Sequence, residues 1–293
     1  MVKFSVIGGD ASSDLAKRIA RRLKAPYIKT ERKIFPDGES KITISHIPKK
    51  SIVVVVQSTY PPVDTNLLEL LSIVSKIQKF SSKVYAVIPY MGYARQDREF
   101  LDGEIVTIGV VGKLLKASGV KKILTVDIHS KLALKQLKIS SENVSAMNNL
   151  VKHFQKMKLK KPLVVSPDLG GRERAKAFAH LLKTDFITLK KHRDRRTGKV
   201  KILSKKVGVR ERDLILVDDM ISTGGSIVKA TQFLKKQKCK RIFVACTHAL
   251  LMNDAAKNIK NAGVSQIIST NTIPGNSAKV DVSKVISDAL KSK

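Results

Sequence analysis

The chain has 293 residues, 43% of them hydrophobic, with 16 glycines and 9 prolines. That composition excludes a fibrous or disordered chain and supplies about two cores, at roughly 150 residues per domain. Lys and Arg number 56 against 24 Asp and Glu, a net charge of +32. Such a field attracts polyanions, whether phosphorylated metabolites, nucleic acid or a membrane surface, without choosing among them.

The start, "MVKFSVIGGDASSD", lacks signal-peptide architecture and reads as a strand and turn, which sets a cytoplasmic expectation. "SSDLAKRIARRLK" follows with Leu15, Ile19 and Leu23 four apart, one face of a helix. "SIVVVVQ" is a continuous apolar run, and "DTNLLELLSIVSKIQKF" returns to the helical period. "VYAVIPY", "KILTVDI", "PLVVSP", "DLILVDD", "RIFVACT" and "QIIST" complete a series of short runs. Several are as uniformly apolar as strands covered on both faces. Strands alternating with helices predict an α/β chain with mostly parallel sheets flanked by helices. No run approaches the ~20 apolar residues of a membrane helix. Cys239 and Cys246 are too few for a disulfide framework or a four-ligand zinc site and are expected as core residues.

The two halves repeat each other. Residues 8–27 align with 166–186, matching Ala16, Lys17, Ala20, Leu23 and Lys24 to Ala175, Lys176, Ala179, Leu182 and Lys183. Residues 53–71 then lie opposite 214–234, in register at Val56 and Val217. This predicts a duplicated α/β domain, 1–145 and 146–293, with polar "ISSENVSAMNN" as linker. The copies are not equally equipped. Where the second has Asp218 and Asp219, the first has Gln57 and Ser58; where it has Thr223 and Gly224, the first has Pro62 and Val63.

"DLILVDDMISTGGSIVKA" carries the sharpest chemical signal. A helix N-terminus after a parallel strand offers unpaired N–H groups and a positive dipole to phosphate. Thr223 and Ser226 add hydroxyl donors, and Gly224 and Gly225 allow close backbone approach. Asp218 and Asp219 would repel phosphate and fit vicinal sugar hydroxyls or a magnesium ion. Together these describe a ribose 5-phosphate site. Other segments are ambiguous alone. "FPDGE" (35–39) is a turn. "YARQDR" is a polar loop whose Arg95 and Arg98 suit polyphosphate. "TVDIHS" sets Asp127 and His129 on one side of a strand, since side chains alternate. "SPDLGG" repeats the plan of strand, acid, glycines and helix, and alone reads as a capped helix start. "KKHRDRRTGKVKI" has seven Lys or Arg in residues 190–201 and reads as a basic hairpin, a nucleic-acid patch or a mobile lid.

In that order, "FPDGE", "PYMGYARQDR", "DIHS", "SPDLGG", "KHR" and "VDDMISTGGS" resemble the motifs of the ribose-phosphate pyrophosphokinase family, which belongs to the phosphoribosyltransferase-like superfamily. The resemblance covers nearly the whole chain. It implies two type I phosphoribosyltransferase-like domains: an N-terminal scaffold with nucleotide loops, and a C-terminal domain with the ribose-phosphate loop, pyrophosphate loop and catalytic lid. Phe35 would stack on adenine, with Asp37, Gly38 and Glu39 at the purine edge. That loop comes from a neighbouring subunit in the family, so a homo-oligomer is implied. Arg95, Gln96, Asp97, Arg98 and His129 would meet ATP. His129 and Asp168 would hold Mg2+, and Asp168, Leu169, Gly170 and Gly171 would form the pyrophosphate loop. Asp218, Asp219 and Ser222 to Ser226 would bind ribose 5-phosphate, and Lys191 and Arg193 would be the catalytic pair. The implied reaction moves the β,γ-diphosphoryl group of ATP to the anomeric hydroxyl, releasing AMP. Two departures stand out: His192 where the family often has Arg, and "KLALKQL" after "DIHS" without the family's aromatics. A phosphoribosyltransferase that consumes the product is the nearest alternative, and a silent RNA-binding relative the next. Aromatic content of 5% supplies no base-stacking platform for the latter, so neither a specific nucleic acid nor a membrane partner is expected.

Overall fold

A computed structural model of the chain describes residues 3–48, 51–193, 200–202 and 207–292. They divide into two compact units. Unit 1 takes the chain up to Ser145, then Asn271–Pro274 and the segment from Val282 onward; unit 2 takes Ala146–Thr270 and Gly275–Asp281.

Unit 1 runs β1 (Phe4–Gly8), α1 (Ser13–Leu23), β2 (Tyr27–Ile34), β3 (Ser40–Ile44), β4 (Ile52–Val56), α2 (Val63–Ile77), β5 (Val84–Ile88), α3 (Thr107–Ser118), β6 (Val120–Val126), α4 (Lys131–Gln136) and β7 (Ser141–Val144). Its sheet has the order β3-β2-β1-β4-β5-β6-β7, parallel except for the β2–β3 hairpin. The valines of β4 are fully buried because helices cover both faces of the sheet.

Unit 2 runs α5 (Met147–Gln155), β8 (Leu163–Ser166), α6 (Arg172–Leu182), β9 (Phe186–Thr188), β10 (Lys191–Arg193), β11 (Val200–Ile202), β12 (Asp213–Ile221), α7 (Gly225–Lys236), β13 (Arg241–Ala249), α8 (Ala255–Asn261), β14 (Gln266–Thr270) and β15 (Ala278–Val280). The parallel sheet is ordered β15-β14-β13-β12-β8-β9. Its strands alternate as the pleat requires: Leu214 and Leu216 enter one core layer, Ile215 and Val217 the other. The second layer centres on Phe154, packed edge-to-face on Phe178 and Phe243 at 5.8 and 6.4 Å between centroids. Cys246 is buried in the first layer, where desolvation pushes its thiol well up.

The duplication is visible strand by strand. β2, β1, β4, β5, β6 and β7 correspond in order to β9, β8, β12, β13, β14 and β15. It extends to the helix ends. α1 and α6 both stop on a lysine in left-handed conformation, Lys24 (φ 52°) and Lys183 (φ 57°). In each case the next residue's N–H returns to the helix: Ala25 to Ala20 O and Thr184 to Ala179 O, both at 3.0 Å.

Three local expectations are corrected. The polar stretch at 139–149 is not a free linker, because Ser141–Val144 pair with β6 as an edge strand. β6 ends at Val126 and Asp127 has φ 39°, so strand alternation does not carry on to His129. β12 runs on to Ile221, pairing Met220 with His248 and Ile221 with Ala249, so Asp218 and Asp219 lie inside the strand rather than after it. Finally, α9 (Ser283–Lys291) returns to unit 1: Lys291 Nζ donates to Arg22 O at 2.9 Å, and Arg22 Nε donates to Ser283 Oγ at 2.7 Å.

Candidate functional site

In unit 1, one group of expected residues sits at the carboxyl ends of β5 and β6. Gly92 turns the chain where a Cβ would lie 2.8 Å from Thr59 O, and its N–H donates to Thr59 Oγ1 at 2.7 Å. Tyr93 follows with φ 61°, its hydroxyl donating to Asp64 on α2. This turn presents Arg95 and Gln96, both exposed, to a cleft of about 550 Å3 that also receives His129 and Phe100. Gln96 is fixed by Thr107, whose hydroxyl donates to Oε1 at 2.6 Å.

Asp97 is placed differently. It is buried, and its carboxylate takes Arg98 Nε at 3.1 Å and the hydroxyl of Ser130. Arg98, and then Ser130, hold that carboxyl below its ordinary range. Ser130 also caps α4, accepting Ala133 N at 3.0 Å. Asp97 therefore fastens the "RQD" turn to the "DIHS" turn instead of lining the cleft. Arg98 lies 5.8 Å from the Phe100 ring centroid. Phe100 is 65% exposed, and reading the sequence did not single it out. Its signal is a large aromatic in a run of charge, "RQDREF".

The second group is the tip of the β2–β3 hairpin. Phe35 N donates to Glu39 O at 2.8 Å, Asp37 Oδ1 accepts Glu39 N at 3.0 Å, and Gly38 has φ 90°. Asp37, Gly38 and Glu39 border a cleft against α2. Phe35 remains 37% exposed, with Lys33 Nζ 5.6 Å from its centroid.

In unit 2, the loop after β8 is closed by Asp168, whose Oδ1 accepts Gly171 N at 3.1 Å, while Ser166 Oγ donates to Asp168 O at 2.6 Å. Leu169 and Gly170 are exposed at its crest. Gly171 is needed for space: a Cβ would stand 2.8 Å from Ser166 Oγ.

One strand over, Asp218 Oδ1 accepts Asp219 N at 2.9 Å and Asp219 Oδ1 accepts Met220 N at 2.9 Å. Burial first, then the charge of Asp219, push the Asp218 carboxyl up to about 7; Arg174 pulls it back. Arg174, on α6, reaches Asp218 at 3.2 Å and Asp219 at 3.4 Å. Sequence reading missed it. Ser222 and Thr223 continue to α7, whose N-cap is Gly224 at φ 73°. A Cβ there would also meet Ile259 Cδ1 at 2.8 Å. Thr223 and Gly225 are exposed, Ser226 is half-buried, and the first turn of α7 contains no acid. The arrangement offers acceptors for hydroxyls and then, through the turn that follows, a helix N-terminus suited to an anion.

Lys191 and Arg193 stand on β10, which pairs antiparallel with β11 apart from the main sheet: Lys191 with Ile202, Arg193 with Val200. β11 lies against α7. Residues 194–199 of the expected lid, Lys199 included, are outside the described residues, as are the side chains of Lys191 and Arg193. Among the described residues no three His, Cys, Asp or Glu side chains gather as a metal cluster, and no helix is long and apolar enough to cross a membrane.

Known proteins share this pattern. Residues 4–119 match the family described as the N-terminal domain of ribose phosphate pyrophosphokinase, and residues 194–291 match the phosphoribosyl synthetase-associated domain. The ribose-phosphate pyrophosphokinase of Sulfurisphaera tokodaii is 35% identical over 94% of this chain and 96% of its own. That of Methanobrevibacter smithii is 36% identical over 98% and 99%, and that of Buchnera aphidicola 38% identical over 94% and 88%. In fold, the crystal structure of phosphoribosylpyrophosphate synthetase from Mycobacterium smegmatis superposes with a TM-score of 0.86, at 24% identity, over 99% of this chain and 98% of that one. With full-length relatives above 30% identity and the motifs standing on the strand ends just described, the chain belongs to the ribose-phosphate pyrophosphokinase family.

Proposed function

We propose that this chain transfers the β,γ-diphosphoryl group of ATP to the anomeric hydroxyl of ribose 5-phosphate, giving 5-phosphoribosyl 1-pyrophosphate and AMP. The observation that carries the reading is the pair Asp218 and Asp219 near the end of β12, the strand that leads through Ser222–Gly224 into the acid-free N-terminus of α7. The carboxylates accept from the sugar 2- and 3-hydroxyls. The 5-phosphate takes the N–H groups of Thr223 to Ser226 and the hydroxyls among them.

Arg95, Gln96 and His129, gathered at one cleft, receive the nucleotide. Phe35 at its hairpin tip supplies the purine contact to a neighbouring subunit, so the active enzyme is a homo-oligomer. Lys191 and Arg193 neutralise charge that develops as AMP leaves, the main demand of phosphoryl-type transfer. The anomeric hydroxyl is the nucleophile, and the phosphorus–oxygen bond to the α-phosphate breaks. A cytoplasmic setting, where ATP is abundant, suits this chemistry.

The donor set fits magnesium. That ion is held through one or two carboxylates plus substrate phosphates and water. Asp168, half-buried in its loop, and His129 are the residues that would hold it; when bound it neutralises polyphosphate charge.

The test is direct: incubate the protein with ATP, magnesium and ribose 5-phosphate and identify the nucleotide product. AMP with 5-phosphoribosyl 1-pyrophosphate is expected. ADP would refute diphosphoryl transfer.

A further inference from the structure

We infer that Arg174 is the positioning residue of the sugar site: its guanidinium holds Asp218 and Asp219 side by side as acceptors for the vicinal hydroxyls. The inference rests on the function proposed above and extends it to a residue outside the loops that carry the family resemblance.

Adjacent carboxylates at a strand end repel each other, and burial strengthens the repulsion. Two backbone N–H groups hold one oxygen of each acid. Arg174 adds what the backbone cannot, with one nitrogen 3.2 Å from Asp218 Oδ1 and the other 3.4 Å from Asp219 Oδ2. A planar fork spans two carboxylates in this way; a lysine ammonium is a single point charge. Arg174 and Asp219 N both meet Asp218 at Oδ1, so the guanidinium and the backbone fix the same carboxylate oxygen. The Asp218 and Arg174 side chains are 23% and 29% exposed, so a small sugar can reach them.

The opposite end of the same strand shows what a purely structural pair looks like. Asp213 is fully buried, and both its oxygens are filled: Arg241 at 3.0 and 2.5 Å, Lys160 N at 2.6 Å. The Asp218–Arg174 pair is instead only partly buried. Arg174 also stands in the first turn of α6, three residues after Gly171. One side chain thus ties the loop assigned to diphosphate to the acids assigned to the sugar.

The experiment uses the full-length protein, following AMP formation with ribose 5-phosphate and ATP varied separately. Arg174→Met is expected to raise KM for ribose 5-phosphate about tenfold or more, the scale of one charge-assisted contact. KM for ATP should stay within about threefold. Arg174→Lys, which keeps charge but loses the fork, should fall between Met and the parent. If the Met variant does not fold, the Lys variant decides: a severalfold rise confined to the sugar supports the role, and an unchanged sugar KM overturns it. A rise shared equally by ATP and the sugar also overturns it, because a structural defect would move both. A parent that forms no AMP defeats the proposed function itself; a parent that forms AMP while Arg174→Met keeps its sugar KM defeats only the role of Arg174.

Discussion

The carboxyl end of β4 and that of β12 are matched positions in two copies of one fold, and they do opposite things with it. After β4, Gln57 is completely buried and turns its amide inward. Its Oε1 accepts Ala11 N at 3.1 Å and its Nε2 donates to Glu69 at 2.9 Å. The amide so fills the space over the β1 loop that a Cβ on Gly9 would stand 2.3 Å from Gln57 Oε1. Ser58 is spent on Thr272 O and Tyr90 N. The following helix, α2, carries its own acid, Asp64, in the first turn, where it accepts from Tyr93. A phosphate would find that helix end taken. In the last residues of β12, carboxylates replace the amide and hydroxyl, Arg174 holds them, and α7 opens with no acid. The fold supplies a ligand position twice. Whether it is used depends on whether the side chains there satisfy one another or leave acceptors for something else.

The largest effect that sharpens this contrast lies on the β10–β11 ribbon of unit 2. Lys191→Ala and Arg193→Ala should each lower kcat about 10²–10³-fold, roughly 2.7–4 kcal/mol, with KM values nearly constant, as for donors that act where charge develops. Lys199→Ala should remain within a few-fold of the parent. Equal damage from Lys199→Ala in steady-state kinetics would mean the segment works by bulk charge.

Next comes the exchange of matched positions. Asp218→Asn should raise KM for ribose 5-phosphate roughly tenfold and leave ATP alone, since an ionised acceptor to a hydroxyl is worth about 1.5–3 kcal/mol. Gln57→Leu should do the reverse. It strands the N–H of Ala11 and one oxygen of Glu69, a cost of about 1–3 kcal/mol. That is several degrees of Tm in a chain of this size, with both KM values unchanged. Differential scanning calorimetry alongside kinetics separates the two; a Gln57 variant that loses sugar affinity would break the comparison.

The smallest effect concerns pH. The Asp218 carboxyl sits near 7, above the usual carboxylate value of 3.8, through burial and the neighbouring Asp219. The folded chain therefore keeps a proton that the unfolded chain releases between those two values. The stability this proton contributes is present below about 4 and is lost as pH rises through about 7. Asp218→Asn has no such proton, so the parent should lose a few degrees of Tm relative to the variant between pH 5 and pH 8. A constant difference across that range would count against the buried acid pair.

Much of this molecule is legible in one dimension. The runs of Val and Ile and the four-residue spacing of Leu15, Ile19 and Leu23 identify strands and a helix, because burial on a pleated sheet or a helical face imposes its period directly on the chain. The repeat of Ala16, Ala20 and Leu23 in Ala175, Ala179 and Leu182 identifies the duplication, and "VDDMISTGGS" marks the turn proposed for the sugar phosphate, because strand, acids, glycines and helix are contiguous. Position in space is another matter. Arg174 lies 44 residues from Asp218, and only the pairing of β8 with β12 brings α6 beside that strand. Asp97 looks like a ligand contact in "RQDR" but meets Ser130, 33 residues away. "SENV" reads as linker because its polar residues carry no period, yet the free edge of β6 takes it as a strand. α9 has a clean apolar face, but nothing local says it will be buried against α1. Periodicity says which face of an element must be covered; strand order and register, set by the whole chain collapsing at once, decide what covers it.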